Sequence, residues 1–261
     1  MTSIASSDER GPLALPQPDP AQLDRPGSSP RRRVRWGASF IYNLWVSARG
    51  KATEGAGSAK VFTTLVMDRS HSMTRFPGVP LRAINSYLQQ LAQSEARKAI
   101  EVSVVVFDHA MDVLLPMQPV SRVAPLKQYR HGNGTRLHGT VADVLERSIL
   151  RVLDAQSQGQ AVTGSVAVFT DGEDTSMPAG KHLPRLRRGV IEASDLGFQL
   201  ISVGIGIDGQ ALAKQLWFPT GLAQTVDPDG VEILKAAADV SQMVEDFSIG
   251  FTHDQLPKIR E

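Results

Sequence analysis

The 261-residue chain contains no cysteine. That removes disulfides, thiolate nucleophiles and cysteine-based zinc or iron–sulfur sites together, and it suits a cytoplasmic protein. Charge of one sign is also missing. With 28 basic and 27 acidic residues the formal net charge is +1, so no bulk field argues for nucleic acid, membrane or polyanion binding. No apolar run reaches the ~18 residues of a membrane-spanning helix, and no membrane span is expected. The opening segment, MTSIASSDERGPLALPQPDP, lacks a basic start followed by an apolar core and does not read as a signal peptide. What is present, 41% hydrophobic and 21% charged residues, is ordinary for a soluble globular protein with one large domain plus extensions.

Residues 1 to about 30, the start of an N-terminal extension over 1–59, are rich in Pro, Ser, Gly and Asp and offer little that can form a core. Burial there does not offset the entropy of ordering, so a disordered or weakly ordered N-terminal extension is expected. Its one dense basic run, residues 31–35, reads as a solvated tail cluster rather than a grip on nucleic acid. Arginines ahead of WGASFIYNLWVSARG faintly resemble a twin-arginine export signal. That stretch lies deep in the chain and carries Asn43 and several serines, so export is not expected. GKATEGAGSAK then reads as a flexible linker.

From residue 60 the pattern alternates strand with helix. KVFTTLVM is a first β-branched apolar run, and LRAINSYLQQLAQSEARKAI (81–100) spaces Leu81, Ile84, Leu88 and Leu91 at helical intervals. EVSVVVFDH and AMDVLLPM follow so closely that no crossover helix fits between them, which predicts an antiparallel pair at a sheet edge. The segment from Thr135 predicts a helix burying Leu137, Val141, Val144, Leu145 and Ile149. SVAVFTDG, FQLISVGIG and LAQTVDP supply strands four to six, with helices expected from Pro184 to Asp195, over QALAKQLWF, and over EILKAAADVSQMVEDF. These alternations predict an α/β fold: a Rossmann-like three-layer α/β/α domain over 60–251, with a six-stranded, mostly parallel sheet and one antiparallel edge strand. Residues 252–261 read as a tail.

The first strand ends in Asp68, and Ser70 and Ser72 follow at alternate positions. Chance alone places Asp-x-Ser-x-Ser in roughly one chain of this length in twenty, so its weight depends on context. In an open α/β sheet, ligands bind beyond the carboxyl ends of the strands where strand order reverses. Strand four also ends in an aspartate, Asp171 in VFTDGED. If strands one and four are neighbours at the reversal, Asp68, Ser70, Ser72 and Asp171 share one crevice. Thr135 in GNGTRLHG offers a fifth oxygen near a helix start, with glycines that permit close backbone approach.

Asp68-x-Ser70-x-Ser72, Gly134-Thr135 and Thr170-Asp171-Gly172 together resemble the von Willebrand factor A domain and its metal-ion-dependent adhesion site, over roughly residues 60–250. The resemblance implies five oxygen positions, Asp68, Ser70, Ser72, Thr135 and Asp171, around Mg²⁺ or Mn²⁺. It implies that the serines bind directly while the aspartates act largely through waters. One position is left for an aspartate or glutamate of a partner protein. An all-oxygen donor set suits those hard cations on chemical grounds as well. Arg69 and His71 fill the variable positions, and His71 adds bulk where a small residue is common. The competing structural reading is a strand-to-helix turn in which Asp68 caps the next helix.

The expected function is therefore a non-enzymatic, metal-dependent protein-binding module. By family association it is an adaptor in an AAA+ ATPase system or a kinase- and phosphatase-linked stress system of bacterial type. The alternative is a phosphoryl-transfer or hydrolytic enzyme using the same cation. Haloacid-dehalogenase-type phosphatases need a second aspartate where Ser70 stands, so their general acid–base group is missing. Gly204-x-Gly206-x-x-Gly209 matches a dinucleotide fingerprint in letters, but it follows the fifth strand rather than the first and reads as a tight strand exit. Asp108 reads as a strand-end cap, Glu173 and Asp174 as loop carboxylates, His71 and His131 as surface residues bordering the crevice, and the methionines as core filler.

Overall fold

The structure, a computed structural model, describes residues 59–254. The expected N-terminal extension up to residue 58, its basic run, the export-like stretch and nearly all of the linker lie outside the described residues, as do positions 255–261.

Chain order is β1 (Lys60–Asp68), α1 (Val79–Gln93), β2 (Ile100–Phe107), β3 (Met111–Pro119), α2 (Leu137–Ser157), β4 (Val162–Thr170), α3 (Leu183–Asp195), β5 (Gln199–Ile205), α4 (Gly209–Gln215), β6 (Ala223–Val226) and α5 (Gly230–Asp254). The strands form one sheet in the order β3-β2-β1-β4-β5-β6. All neighbours are parallel except β2 and β3, which pair antiparallel across the edge as expected.

Strand alternation sends successive side chains to opposite faces. Leu65, Met67, Val104, Val106, Phe169 and Val203 pack on one side against Ile84, Tyr87 and Leu88 of α1 and Ile233, Val240 and Val244 of α5. Phe62, Val66, Val105, Phe107, Val166, Val168 and Leu200 pack on the other against Leu137, Val141, Leu145, Leu186 and Leu212 of α2, α3 and α4. With both faces covered, the central strands are apolar almost throughout. The reversal falls between β1 and β4: the chain leaves β1 toward β2 on one side, and β4 leads to β5 and β6 on the other. Register sets Met67 beside Phe169, so β1 and β4 end level and Asp68 and Asp171 meet at one crevice.

Several boundaries differ from those read in the sequence. The helix expected to run to residue 100 stops at Gln93. There Ser94 caps a separate short 3-10 turn by accepting from the Ala96 N–H at 2.9 Å, and its own hydroxyl donates to Glu245 of α5 at 2.7 Å. Helix α2 begins at Leu137, so Thr135 precedes it by two residues. Helix α5 continues to Asp254, into the expected tail, with Phe251 buried at its end. The methionines divide: Met67 and Met73 are fully buried, while Met177 is 78% exposed and is not core. The glycine motif after β5 serves packing. A Cβ on Gly209 would sit 2.0 Å from the Gln224 carbonyl oxygen, and one on Gly204 2.6 Å from that of Ile207.

A hydroxyl and carboxylate cluster at the sheet reversal

The backbone at the end of β1 turns into a short 3-10 segment, His71–Arg75. Ser70 precedes it, and its hydroxyl caps nothing. The Ser70 N–H donates to Asp68 Oδ1 at 2.7 Å, a tight Asx-type turn that fixes the carboxylate. Asp68 therefore closes a turn rather than capping the helical segment that follows, and its second oxygen is engaged elsewhere. Thr170, the last residue of β4, donates its hydroxyl to Asp68 Oδ2 at 2.5 Å across the reversal.

The serines lie on the other side of the crevice. Ser70 Oγ and Ser72 Oγ are 2.9 Å apart, and Ser72 donates to Asp171 Oδ1 at 2.7 Å. Arg75 donates from Nη2 to Asp171 Oδ2 at 2.8 Å. A continuous chain of oxygens thus runs from Ser70 through Ser72 to Asp171. Asp68 and the Asp171 side chain have no exposure, whereas Ser72 is exposed and opens the cluster to solvent.

Thr135 adjoins this chain. Its hydroxyl lies 4.0 Å from where a Gly172 side chain would begin. Its backbone is pinned from both sides, the N–H donating to Thr175 Oγ1 and the carbonyl accepting from the Thr175 N–H, each at 2.8 Å. The hydroxyl itself makes no hydrogen bond among the described residues. Gly132 explains the glycine-rich approach: a Cβ there would fall 1.6 Å from the Asp108 carboxylate. Gly134 takes φ +72°, a conformation open to glycine at little cost.

Burial pushes the Asp68 carboxyl up from 3.8 to about 6; hydrogen bonds from Thr170 and Ser70 oppose the rise and the Asp171 charge adds to it. Burial, with the Asp68 charge behind it, also raises the Tyr129 phenol, whose hydroxyl donates to the Asp68 backbone carbonyl. Tyr129 meets His131 edge-on with ring centroids 5.1 Å apart. Burial holds His131 below its ordinary value, helped by nearby His71. Both histidines are exposed, and neither bonds to the cluster.

Asp108 closes β2 as expected, accepting from the Ala110 N–H at 2.8 Å and pairing with Arg69 Nε at 3.3 Å. Arg69 also reaches Asp112 at 2.5 Å and so turns away from the crevice. Asp174 is not a simple loop carboxylate. It is buried against His138 of α2, with Oδ2 2.6 Å from Nδ1, and it accepts from the Ser176 N–H at 2.8 Å. That pair ties the loop after β4 to the start of α2 and so holds Thr175 against Thr135.

The donor set is all oxygen, three hydroxyls and two carboxylates. Among the described residues no three His, Cys, Asp or Glu side chains gather as a metal cluster of the usual kind. Both Asp68 oxygens are engaged, so that residue contributes charge and position, while the hydroxyls offer the free lone pairs. The set fits a hard divalent cation and not a soft one. Sequence reading missed Arg75, Thr175 and the part played by Thr170. Thr170 stood inside a quoted motif, and Arg75 stands one 3-10 turn beyond Ser72, where a search for a counter-charge finds it. Thr175 carries no local signal.

No protein-family model matches the chain, and no curated sequence is similar enough to register a match. Solved structures are similar. A pilus adhesin, SpaC from Lactobacillus rhamnosus GG in an open conformation, shares 12% identity with 76% of this chain at a TM-score of 0.56. Proximal thread matrix protein 1 from the mussel byssus shares 15% with 74% of the chain at 0.53. A mutant of the PilB minor pilin from Streptococcus sanguinis shares 11% with 77% of the chain at 0.52. These overlaps, the strand order and the single antiparallel edge decide the fold. It is the von Willebrand factor A fold. The chain spans 31%, 49% and 64% of those three proteins' own lengths. In the von Willebrand factor A fold seen here, the cluster occupies the crevice between β1 and β4, with Ser72 at its mouth.

Proposed function

We propose that this chain is a protein-binding module that uses a divalent cation, Mg²⁺ or Mn²⁺, held by Asp68, Ser70, Ser72, Thr135 and Asp171, to capture an acidic side chain of a partner protein. The observation that carries the reading is the hydrogen-bonded run Ser70–Ser72–Asp171 beside Asp68, open to solvent at Ser72. When bound, the cation supplies a Lewis-acidic centre with affinity for carboxylate oxygen. The chain's own residues set how strong that centre is. Neutral hydroxyls dominate the free donors, Arg75 offsets the charge of Asp171, and Asp68 is buried. Little negative charge is left to quench the cation.

The site is an open crevice. Cavities of about 170 and 400 Å³ lie under β3 and beside β6, and neither includes a cluster residue. An open mouth suits one side chain presented by a larger partner better than an enclosed small substrate. Among the described residues no helix is long and apolar enough to cross a membrane. An adaptor role in an ATPase or kinase-linked complex extends this reading by family association.

Calorimetry with Mg²⁺ and Mn²⁺ on the wild type, Asp68→Ala and Ser70→Ala tests the metal half. Binding by the wild type and at least tenfold loss in both variants is expected; unchanged affinity in both would sink the proposal. Affinity capture with and without EDTA tests the partner half, with release on chelation expected. Phosphatase turnover that disappears in Asp68→Ala would favour the enzymatic alternative instead.

A further inference from the structure

Arg75 is the one Lys or Arg bonded to either carboxylate of the cluster among the described residues. Its head group is held from two sides. Nη2 donates to Asp171 Oδ2 at 2.8 Å, and Cζ lies 4.9 Å from the centroid of the Phe76 ring, which is itself 5% exposed. The side chain is nevertheless 50% exposed. A guanidinium carries five N–H donors in a planar fork. Among the described residues only the bond to Asp171 is made, and the half-exposed side chain leaves its remaining donors open to solvent beside exposed Ser72.

Arg69, next to Asp68 in sequence, does not share this role, because Asp108 and Asp112 hold it on the far side of the strand end. His71 and His131 stand near the crevice without bonding to it. Among the described residues Arg75 is thus the cation that a bond to the cluster holds in a fixed position.

We infer that Arg75 is a second recognition group of the site, balancing Asp171 with one N–H and offering the others to the carboxylate of an incoming aspartate or glutamate. The inference rests on the metal-dependent reading above and adds to it. A planar fork matches a carboxylate with two parallel hydrogen bonds, which a point charge such as lysine does not reproduce. Arg75 therefore acts on specificity. It favours a carboxylate over neutral oxygen ligands, and it opposes cation binding by its own charge. Those two effects have opposite signs. A purely structural ion pair also opposes the cation by its charge, but it does not change carboxylate affinity, so the effect on the carboxylate is the one that discriminates.

The test uses the full chain, Mn²⁺ as the cation and acetate as the carboxylate probe. Water proton relaxation reports Mn²⁺ uptake and then the loss of Mn²⁺-bound water as acetate is added. Arg75→Gln should bind Mn²⁺ several-fold tighter, about three- to tenfold, because a like charge is gone. It should bind acetate about tenfold more weakly. Arg75→Lys should keep Mn²⁺ affinity within about twofold and still lose acetate affinity several-fold. Thermal melts confirm that both variants fold. Equal acetate affinity in all three proteins overturns the inference, as does weaker Mn²⁺ binding in Arg75→Gln. If the wild type takes up no Mn²⁺, the metal-dependent reading fails and this inference fails with it. Normal Mn²⁺ uptake with an indifferent Arg75 removes the inference alone.

Discussion

Asp68→Asn should stabilise the cation-free protein at neutral pH while abolishing cation binding. Asp68 is fully buried, and its carboxyl is raised from 3.8 to about 6. Well below pH 3.8 the group is protonated in both folded and unfolded chains and exacts no penalty. As pH rises toward 6 the unfolded chain ionises freely while the folded chain resists, so stability is lost across that window. At about 1.4 kcal/mol per pKa unit the ionised carboxylate costs the cation-free fold roughly 3 kcal/mol by pH 7. Asparagine removes this cost with little collateral damage. Its carbonyl can accept from the Ser70 N–H, and the Thr170 hydroxyl, already 3.3 Å from the Gly172 carbonyl, can turn to donate there and accept from the new amide. Urea melts in EDTA at pH 4, 5, 6 and 7.5 should show the variant gaining on the wild type by roughly 2–3 kcal/mol between the extremes, mostly before pH 6.5. Saturating Mg²⁺ should reverse the order, since only the wild type gains binding energy. A variant-to-wild-type difference that stays constant from pH 4 to 7.5 would refute the reasoning.

Thr175→Val removes the acceptor of the Thr135 N–H and should cost about 1 kcal/mol, with a several-fold loss of cation affinity that calorimetry reads. Stability loss with unchanged affinity would separate Thr175 from the site. Gly209→Ala drives a methyl group to 2.0 Å from the Gln224 carbonyl and should destabilise by ~3 kcal/mol or more in chemical melts, leaving no room for a nucleotide-binding role to explain the glycine.

The linkage between Asp68 and the cation has a consequence for pH. Cation binding favours the ionised carboxylate, so affinity should strengthen as pH rises toward 6 and level off above it. The burial that penalises the Asp68 charge in the cation-free chain is thus the cost that a bound cation offsets.

Local sequence determined more of this protein than its low identity to its structural neighbours suggests. Strand and helix existence followed from apolar periodicity, because a residue's face in a strand or helix is fixed by chain geometry alone. The short link between β2 and β3 dictated the antiparallel edge, since no crossover fits between Phe107 and Met111. The Asp68–Ser70–Ser72 spacing and the strand-end Asp171 were legible because each depends on two or three consecutive residues. Boundaries were less so: Ser94 ended α1 early through contacts with Ala96 and with Glu245, and the second of these partners is far away in sequence.

Only the tertiary structure decided how the pieces engage. The bond from Thr170 to Asp68 spans 102 positions, that from Ser72 to Asp171 spans 99 and that from Arg75 spans 96. No local pattern encodes which hydroxyl serves which oxygen across such gaps, because the choice depends on the level at which β1 and β4 end. Asp174 looked like a loop carboxylate for the same reason, its partner His138 lying on another element. The sequence by itself named the oxygens. The parallel register of β1 against β4 brought the Ser70–Ser72 pair within hydrogen-bonding reach of Asp171 and Asp68 within reach of Thr170, and set Arg75 against Asp171, because a sheet aligns strand ends irrespective of their separation along the chain.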